Sequence, residues 1–300
     1  MQHDVIALAL LTAAGWGASD PLAKTGMERG GTPLQVSLTV VFVSVVVYCA
    51  VLLARGVALF SHPYWVLGLF LATGLTATAI ARLLSYTGVQ RVGASISSAT
   101  VNTRPVWAML LAVVFLGEAV TAQGTIGIGF VVGGLVTLAF SKGGDISGWH
   151  IRDLLFPLAA ALTFAAGNVA RRYAFTTTDI SAIEGVAINE AAGLFGLLVY
   201  LLFRHGRDFG EFMMAPREAY AYFVGCGLLS ALSLFTLFEA LDRGQVVLVD
   251  PLSSPTSLFA ILFTFIFLRE VERVTKRLLL GAVLVIIGVV LITGPQVFTL

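Results

Sequence analysis

The sequence predicts an all-α integral membrane protein with ten transmembrane helices arranged as two inverted five-helix repeats. Three observations carry that expectation. The 300 residues are 58% apolar and only 12% charged, against about 25% charged in ordinary soluble domains. Apolar windows long enough to cross a hydrocarbon core, roughly 20 residues of helix for about 30 Å, occur ten times. The second part of the chain also repeats the polar punctuation of the first.

In chain order the windows cover 4–23, 33–54, 63–86, 94–116, 122–140, 151–174, 181–203, 219–240, 246–268 and 277–293. The first has the hydropathy of a signal peptide, but MQHD before it holds no Lys or Arg and similar windows follow, so it is expected to remain as a helix. Late in that window Pro21 cannot donate a hydrogen bond to the Gly17 carbonyl, which predicts an opening or bend beside Asp20. The fourth window carries Ser95, Ser97, Ser98, Thr100, Asn102, Thr103 and Arg104 ahead of Pro105, and the ninth carries Asp250, Ser253, Ser254, Thr256 and Ser257 with Pro251 and Pro255. Neither stretch suits lipid. Both are expected as paired, irregular walls of one cavity near the bilayer midplane. The polar connections around 141–150 and 205–217 are too small to fold as soluble domains.

Residues 86–118 lie without gaps over 238–270, which pairs Arg91 with Arg243, Phe115-Leu116 with Phe267-Leu268 and Glu118 with Glu270; Gly129 falls on Gly281 in the same register. A slightly smaller offset pairs Arg55 with Arg204, Gln35 with Glu184, Trp16 with Phe164, Asp20 with Asn168 and Lys24 with Arg172. The repeats are therefore 1–141 and 151–294. Each contains five crossings, an odd number, so the second enters the membrane from the opposite side. Two similar halves inverted in this way exchange conformations at similar energy, the usual basis of alternating access.

These features together resemble the EamA-type transporters of the drug/metabolite transporter superfamily. The resemblance rests on an F-L-x-E turn after the fourth helix of each repeat and on Gly15-Trp16-Gly17-Ala18-Ser19 in the first helix. Thr121, Gln123 and Gly129 after the first F-L-G-E add to it. The second repeat departs from the pattern at Arg269 and lacks Thr-x-Gln after Glu270. The resemblance implies a secondary carrier, not an enzyme, with a central cavity lined mainly by helices 1, 3, 4, 6, 8 and 9. It does not fix the solute, since the family's members carry amino acids, metabolites, nucleotide precursors and drugs.

Polar groups inside a span must face protein, water or another charge. On that ground the candidate solute contacts are Trp16, Asn102, Arg104, Trp107, Asn168, Asp250 and Ser254, and the candidates for carrying a coupled proton are Asp20 and Glu190. Arg104 lies too deep to reach either surface, and its guanidinium suits a solute carboxylate or phosphate. In an empty site its partner is Asp20, Glu190 or Asp250. Structural alternatives stand beside these roles: Asp20 in the interface, Arg104 permanently paired, Glu190 neutralising an arginine. Arg171-Arg172, Glu118 with Glu270, and the Glu239, Asp242 and Arg243 cluster read as anchors and caps. Gly129-x-x-x-Gly133 and Gly193-x-x-Gly196 read as close helix contacts.

A net charge of +1 and the lack of a glycine-rich phosphate loop argue against nucleic acid. Cys49 and Cys226 lie in separate windows, and His3, His62, His150 and His205 are scattered, so neither metal nor another cofactor is expected. The alternative of another class, an integral-membrane enzyme acting on lipid-linked substrates, needs clustered acid/base or metal-binding residues at one interface. The expected partners are a small-molecule substrate and the lipid bilayer, with the chain a monomer or homodimer in the cell membrane and both termini on one side. With cytoplasmic termini, only Arg55, Arg171, Arg172 and Arg243 of the 18 Lys and Arg fall on the cytoplasmic side, and Arg82 is placed opposite them. The charge rule thus favours termini outside, whereas the family resemblance implies the cytoplasm.

Overall fold

The computed structural model describes residues 2–57, 62–92, 97, 100–141, 149–206, 214, 216–263 and 276–297. No strand occurs among them. The helices are α1 (Gln2–Glu28), α2 (Pro33–Arg55), α3 (Tyr64–Thr73), α4 (Ala81–Val92), α5 (Arg104–Leu116), α6 (Ala122–Ser141), α7 (Leu155–Thr177), α8 (Ala182–His205), α9 (Arg217–Arg243), α10 (Val246–Ser253), α11 (Thr256–Phe263) and α12 (Lys276–Val297). A π-helical stretch, Gly74–Ile80, joins α3 to α4, and a 3-10 turn, Ile151–Leu154, leads into α7.

Among the described residues, six helical segments are long and apolar enough to cross a bilayer: His3–Glu28, Pro33–Arg55, Tyr64–Ser85, Ile151–Thr177, Ala182–Arg204 and Arg217–Arg243. Arg104–Leu116, Ala122–Thr137 and Leu280–Ile292 are shorter apolar helices, and the window at 246–268 is divided between α10 and α11. Leu53 and Phe203 are 82% and 88% exposed while Asn189, Glu190, Arg171 and Asp250 are buried. That inside-out polarity suits lipid outside and polar partners within. The protein is a multi-pass integral membrane protein.

Local sequence signals explain the helix ends. Before α2, the Thr32 hydroxyl accepts from Gln35 N at 3.3 Å while Gln35 Oε1 accepts from Thr32 N at 2.8 Å. This reciprocal box satisfies two N–H groups that the first turn leaves open. Ser181 and Glu184 repeat the device before α8, so Gln35 and Glu184, paired by register, hold the same capping position. Glu184 also bonds His62 at 2.8 Å. α1 continues across Pro21 to Glu28 rather than ending there.

Packing places α1 and α2 on α9, α3 and the π stretch on α8, α7 on α4 and α5, and α6 along α12. Gly74 brings the π stretch against the Asn189 carbonyl of α8, a position any Cβ would overlap. On α6 and α12 the contacts come from Gly134 and Gly288, where a Cβ would stand 2.7 Å from the Gly281 carbonyl and 2.6 Å from Val131 N. Gly129 and Gly133 meet nothing within 4 Å, so the expected contact motif is displaced to neighbouring glycines. Gly193 and Gly196 do sit tightly, against Thr78 and Ala79.

The two polar windows are both interrupted. Asn102 and Thr103 form a turn ahead of α5, and Ser254 and Pro255 separate α10 from α11. In the ungapped register these are the same positions. The second F-L-x-E motif, Phe267 to Glu270, with Ser95, Ser98 and the basic loop at 269–275, lies outside the described residues.

Candidate functional site

Three chambers, of about 200, 220 and 210 Å³, follow one another through the interior. Trp16 borders all three. Arg82 borders the first and second, and Arg104 borders the second and third. The first is otherwise lined by small or weakly polar groups, among them Ser19, Ser37, Cys226 and Ser230. The third lies at the two helix interruptions, between Asn102, Ser254 and Thr256. Larger apolar grooves at Phe42 and Leu198, and at Phe115 and Tyr173, lie among outward-facing apolar side chains and suit acyl chains rather than a polar solute.

A continuous set of buried polar contacts backs the middle chamber. Arg104 donates through Nε to Asp250 Oδ2 at 3.1 Å and through Nη2 to the Ser254 hydroxyl at 2.9 Å. Asn168 Nδ2 donates to the other Asp250 oxygen at 2.5 Å. Asp250 is 0% exposed. Arg171 donates to Asn168 Oδ1 at 2.9 Å and to Asn189 Oδ1 at 3.0 Å, and its guanidinium lies 5.0 Å from the centre of the Phe238 ring. Asn189 Nδ2 reaches the Thr78 hydroxyl at 2.9 Å, and Thr78 donates to Glu190 Oε1 at 3.2 Å. Charges out of water are tolerable only when so paired. The broken α10–α11 junction delivers Asp250 and Ser254, α5 delivers Arg104, and the π stretch turns Thr78 toward α8.

Of the sequence candidates, Arg104, Asn168, Asp250 and Ser254 meet in one cluster, and Trp16 and Asn102 line the chambers beside it. Asn102 Nδ2 is buried and has no hydrogen-bond partner among the described residues. Glu190 lines the middle chamber. Trp107 instead donates to Thr103 at 3.2 Å on the same helical face and packs on the apolar core. The Asp20 side chain lies outside the described residues. Gly15, from the motif at Trp16, faces the Ser233 hydroxyl of α9 and serves packing.

Two arginines correct the sequence reading. Arg171, expected as an interfacial anchor, is 4% exposed and central to the network. Its neighbour Arg172 is the anchor, donating to the Leu241 and Asp242 carbonyls near the end of α9. Arg82, counted among the surface charges, lies inside because its helix runs on to Val92. The cap reading of Glu118 is met across the fold: its carboxylate accepts from Val246 N at 2.9 Å and Val247 N at 3.0 Å, closing the first turn of α10.

An apolar shell around charge-lined chambers, with interrupted helices at their centre, is the architecture of a membrane transport protein. The chain belongs to the EamA-like transporter family, whose model matches residues 4–140 and again 152–294. It is similar to a probable terminal-alkyne amino-acid exporter of Streptantibioticus cattleyicolor, with 30% identity over 296 residues, 94% of this chain and 91% of the other. An uncharacterized transporter of Methanothermobacter thermautotrophicus is 26% identical over 75% of this chain and 62% of its own length. One solved crystal structure superposes with a TM-score of 0.77 at 17% identity, covering 96% of this chain and 98% of the other, a likeness of fold.

Proposed function

We propose that the chain is a secondary carrier, an exporter or exchanger of small polar or amphipathic metabolites such as amino acids. In this reading ten crossings form two inverted repeats, 1–141 and 151–294, that rock about the chambers, with both termini on one side of the membrane. The observation that carries the proposal is the pair of helix interruptions, Asn102-Thr103 and Ser254-Pro255, meeting at one chamber beside Trp16. Irregular backbone at membrane depth is tolerated where it lines a cavity, and transporters place their solute sites there. Inversion gains support from contact pairs that swap between repeats: α1 lies on α9 as α7 lies on α4, and α2 on α9 as α8 on α3. The amino-acid suggestion comes from the name of the Streptantibioticus relative.

Trp16 and Asn102 would touch the solute, beside Arg104, which Asn168, Asp250 and Ser254 hold in place. Trp107 would brace the interruption through Thr103. Proton coupling is assigned to Glu190, which faces Thr78, Arg82 and Arg171, with Tyr48 of α2 also within its electrostatic reach. Purified protein in proteoliposomes should give saturable flux of members of a broad amino-acid and metabolite panel. An imposed proton gradient should stimulate that flux in wild type and not in Glu190→Gln. Flux no greater than that of empty vesicles across the panel would overturn the reading.

A further inference from the structure

We infer that the middle chamber reads an α-amino acid by its two charged ends, carboxylate on Arg82 and ammonium on Glu190, with an apolar side chain against the aromatic wall. The inference rests on the transporter reading and narrows its solute class.

It follows from which charged groups around the chamber already have partners. Arg104 bonds Asp250 and Ser254, and Asp250 has both oxygens engaged and no exposed surface. Arg171 bonds Asn168 and Asn189 through its two Nη atoms and lies over Phe238, with only its buried Nε unpartnered among the described residues. Two groups differ. The Arg82 guanidinium makes no hydrogen bond or ion pair among the described residues, although it borders two chambers. Glu190 receives Thr78 and Asn189 on Oε1 alone, and its Oε2 accepts no hydrogen bond among the described residues. Arg82 and Glu190 line the same chamber without closing an ion pair on each other.

A zwitterion satisfies both groups at once. A simple anion would leave Glu190 Oε2 without a donor, and a simple amine would leave Arg82 without an acceptor, each a cost for a group drawn away from bulk water. Trp16, Phe164, Leu234 and Leu237 complete the chamber with apolar surface, which suits an aliphatic or aromatic side chain better than a charged one. Because Arg82 also faces the first chamber, a carboxylate arriving from there meets it before the network behind.

Three probes separate the charged ends: leucine, leucinamide, which lacks the carboxylate, and 4-methylpentanoate, which lacks the ammonium. Titration calorimetry on the full-length detergent-solubilised protein should show leucine binding and each analogue about tenfold or more weaker. Arg82→Gln should weaken leucine about ten- to hundredfold and bring leucine and leucinamide to equal affinity, while Arg82→Lys restores much of the preference. The ratio is read within one protein, so a global loss of stability does not mimic it. Where Arg82→Gln fails to elute as a folded species, the wild-type analogue series and Arg82→Lys decide. No leucine binding, equal binding of leucine and leucinamide to wild type, or an unchanged ratio in Arg82→Gln would overturn the inference. Failure of the transporter reading looks different: the flux panel stays silent whatever the calorimeter records.

Discussion

The two sides of the central cavity are built at matching positions in the chain and carry opposite chemistry. Around the middle chamber stand Thr78, Asn168, Arg171, Asn189 and Glu190, joined by direct hydrogen bonds. In the register that aligns the repeats, their counterparts are Ser230, Asp20, Ala23, Val40 and Val41. Ser230, Ala23 and Val40 line the first chamber, where among the described residues Ser230 has a 4.0 Å contact with the Cys226 sulfur. Among the described side chains at these positions, one side is a cross-linked polar network and the other is made of small groups. Under the proposed rocking mechanism the networked side is the harder to open, so the two end states differ in energy although their folds match.

The largest test of this contrast is Arg171→Met. It leaves Asn168 and Asn189 without their donor and strips a cation from beside Glu190, and loss of one member of a buried ionic set costs about 3–5 kcal/mol. The expected result is a strongly lowered unfolding midpoint in detergent, while the matching change Ala23→Ser stays within about 0.5 kcal/mol. A midpoint for Arg171→Met equal to wild type would mean that the network does not brace the fold. Next in size is Thr78→Val against Ser230→Ala. The first removes a donor to Glu190 and an acceptor for Asn189, about 1–3 kcal/mol; the second should be nearly neutral by the same melt. The smallest effect is kinetic. In a Cys49→Ser background a small maleimide should modify Cys226 in membranes, since that thiol borders the chamber expected to open, and saturating leucine should slow the reaction. Labelling indifferent to leucine would separate the first chamber from the solute path.

Much of this was legible in the residues. Arg104, Asp250, Asn168 and Ser254 declared themselves by being too polar for their windows, and the register between repeats placed the two helix interruptions at corresponding sites. Arg82 and Arg171 did not, for different reasons. The helix containing Arg82 continues through Tyr86–Val92, a segment too polar to count toward a hydrophobic window, so an interior arginine looked terminal. The π stretch just before it adds a residue per turn and rotates later side chains away from the face that a 3.6-residue period assigns. Arg171 sits beside Arg172, and paired arginines near a window's end suggest an interface. Only its partners show otherwise, and of those Asn189 belongs to another helix. Asn168, one turn earlier on α7, was the local signal available.

The Glu118 carboxylate has a mechanical implication. It comes from the corner between α5 and α6 yet closes the first turn of α10, more than a hundred residues later. The start of α10 is thus pinned to that corner, and any displacement of one must drag the other. Under the proposed rocking mechanism Glu118 is a drive pin between the two broken helices, and they turn as one gear train.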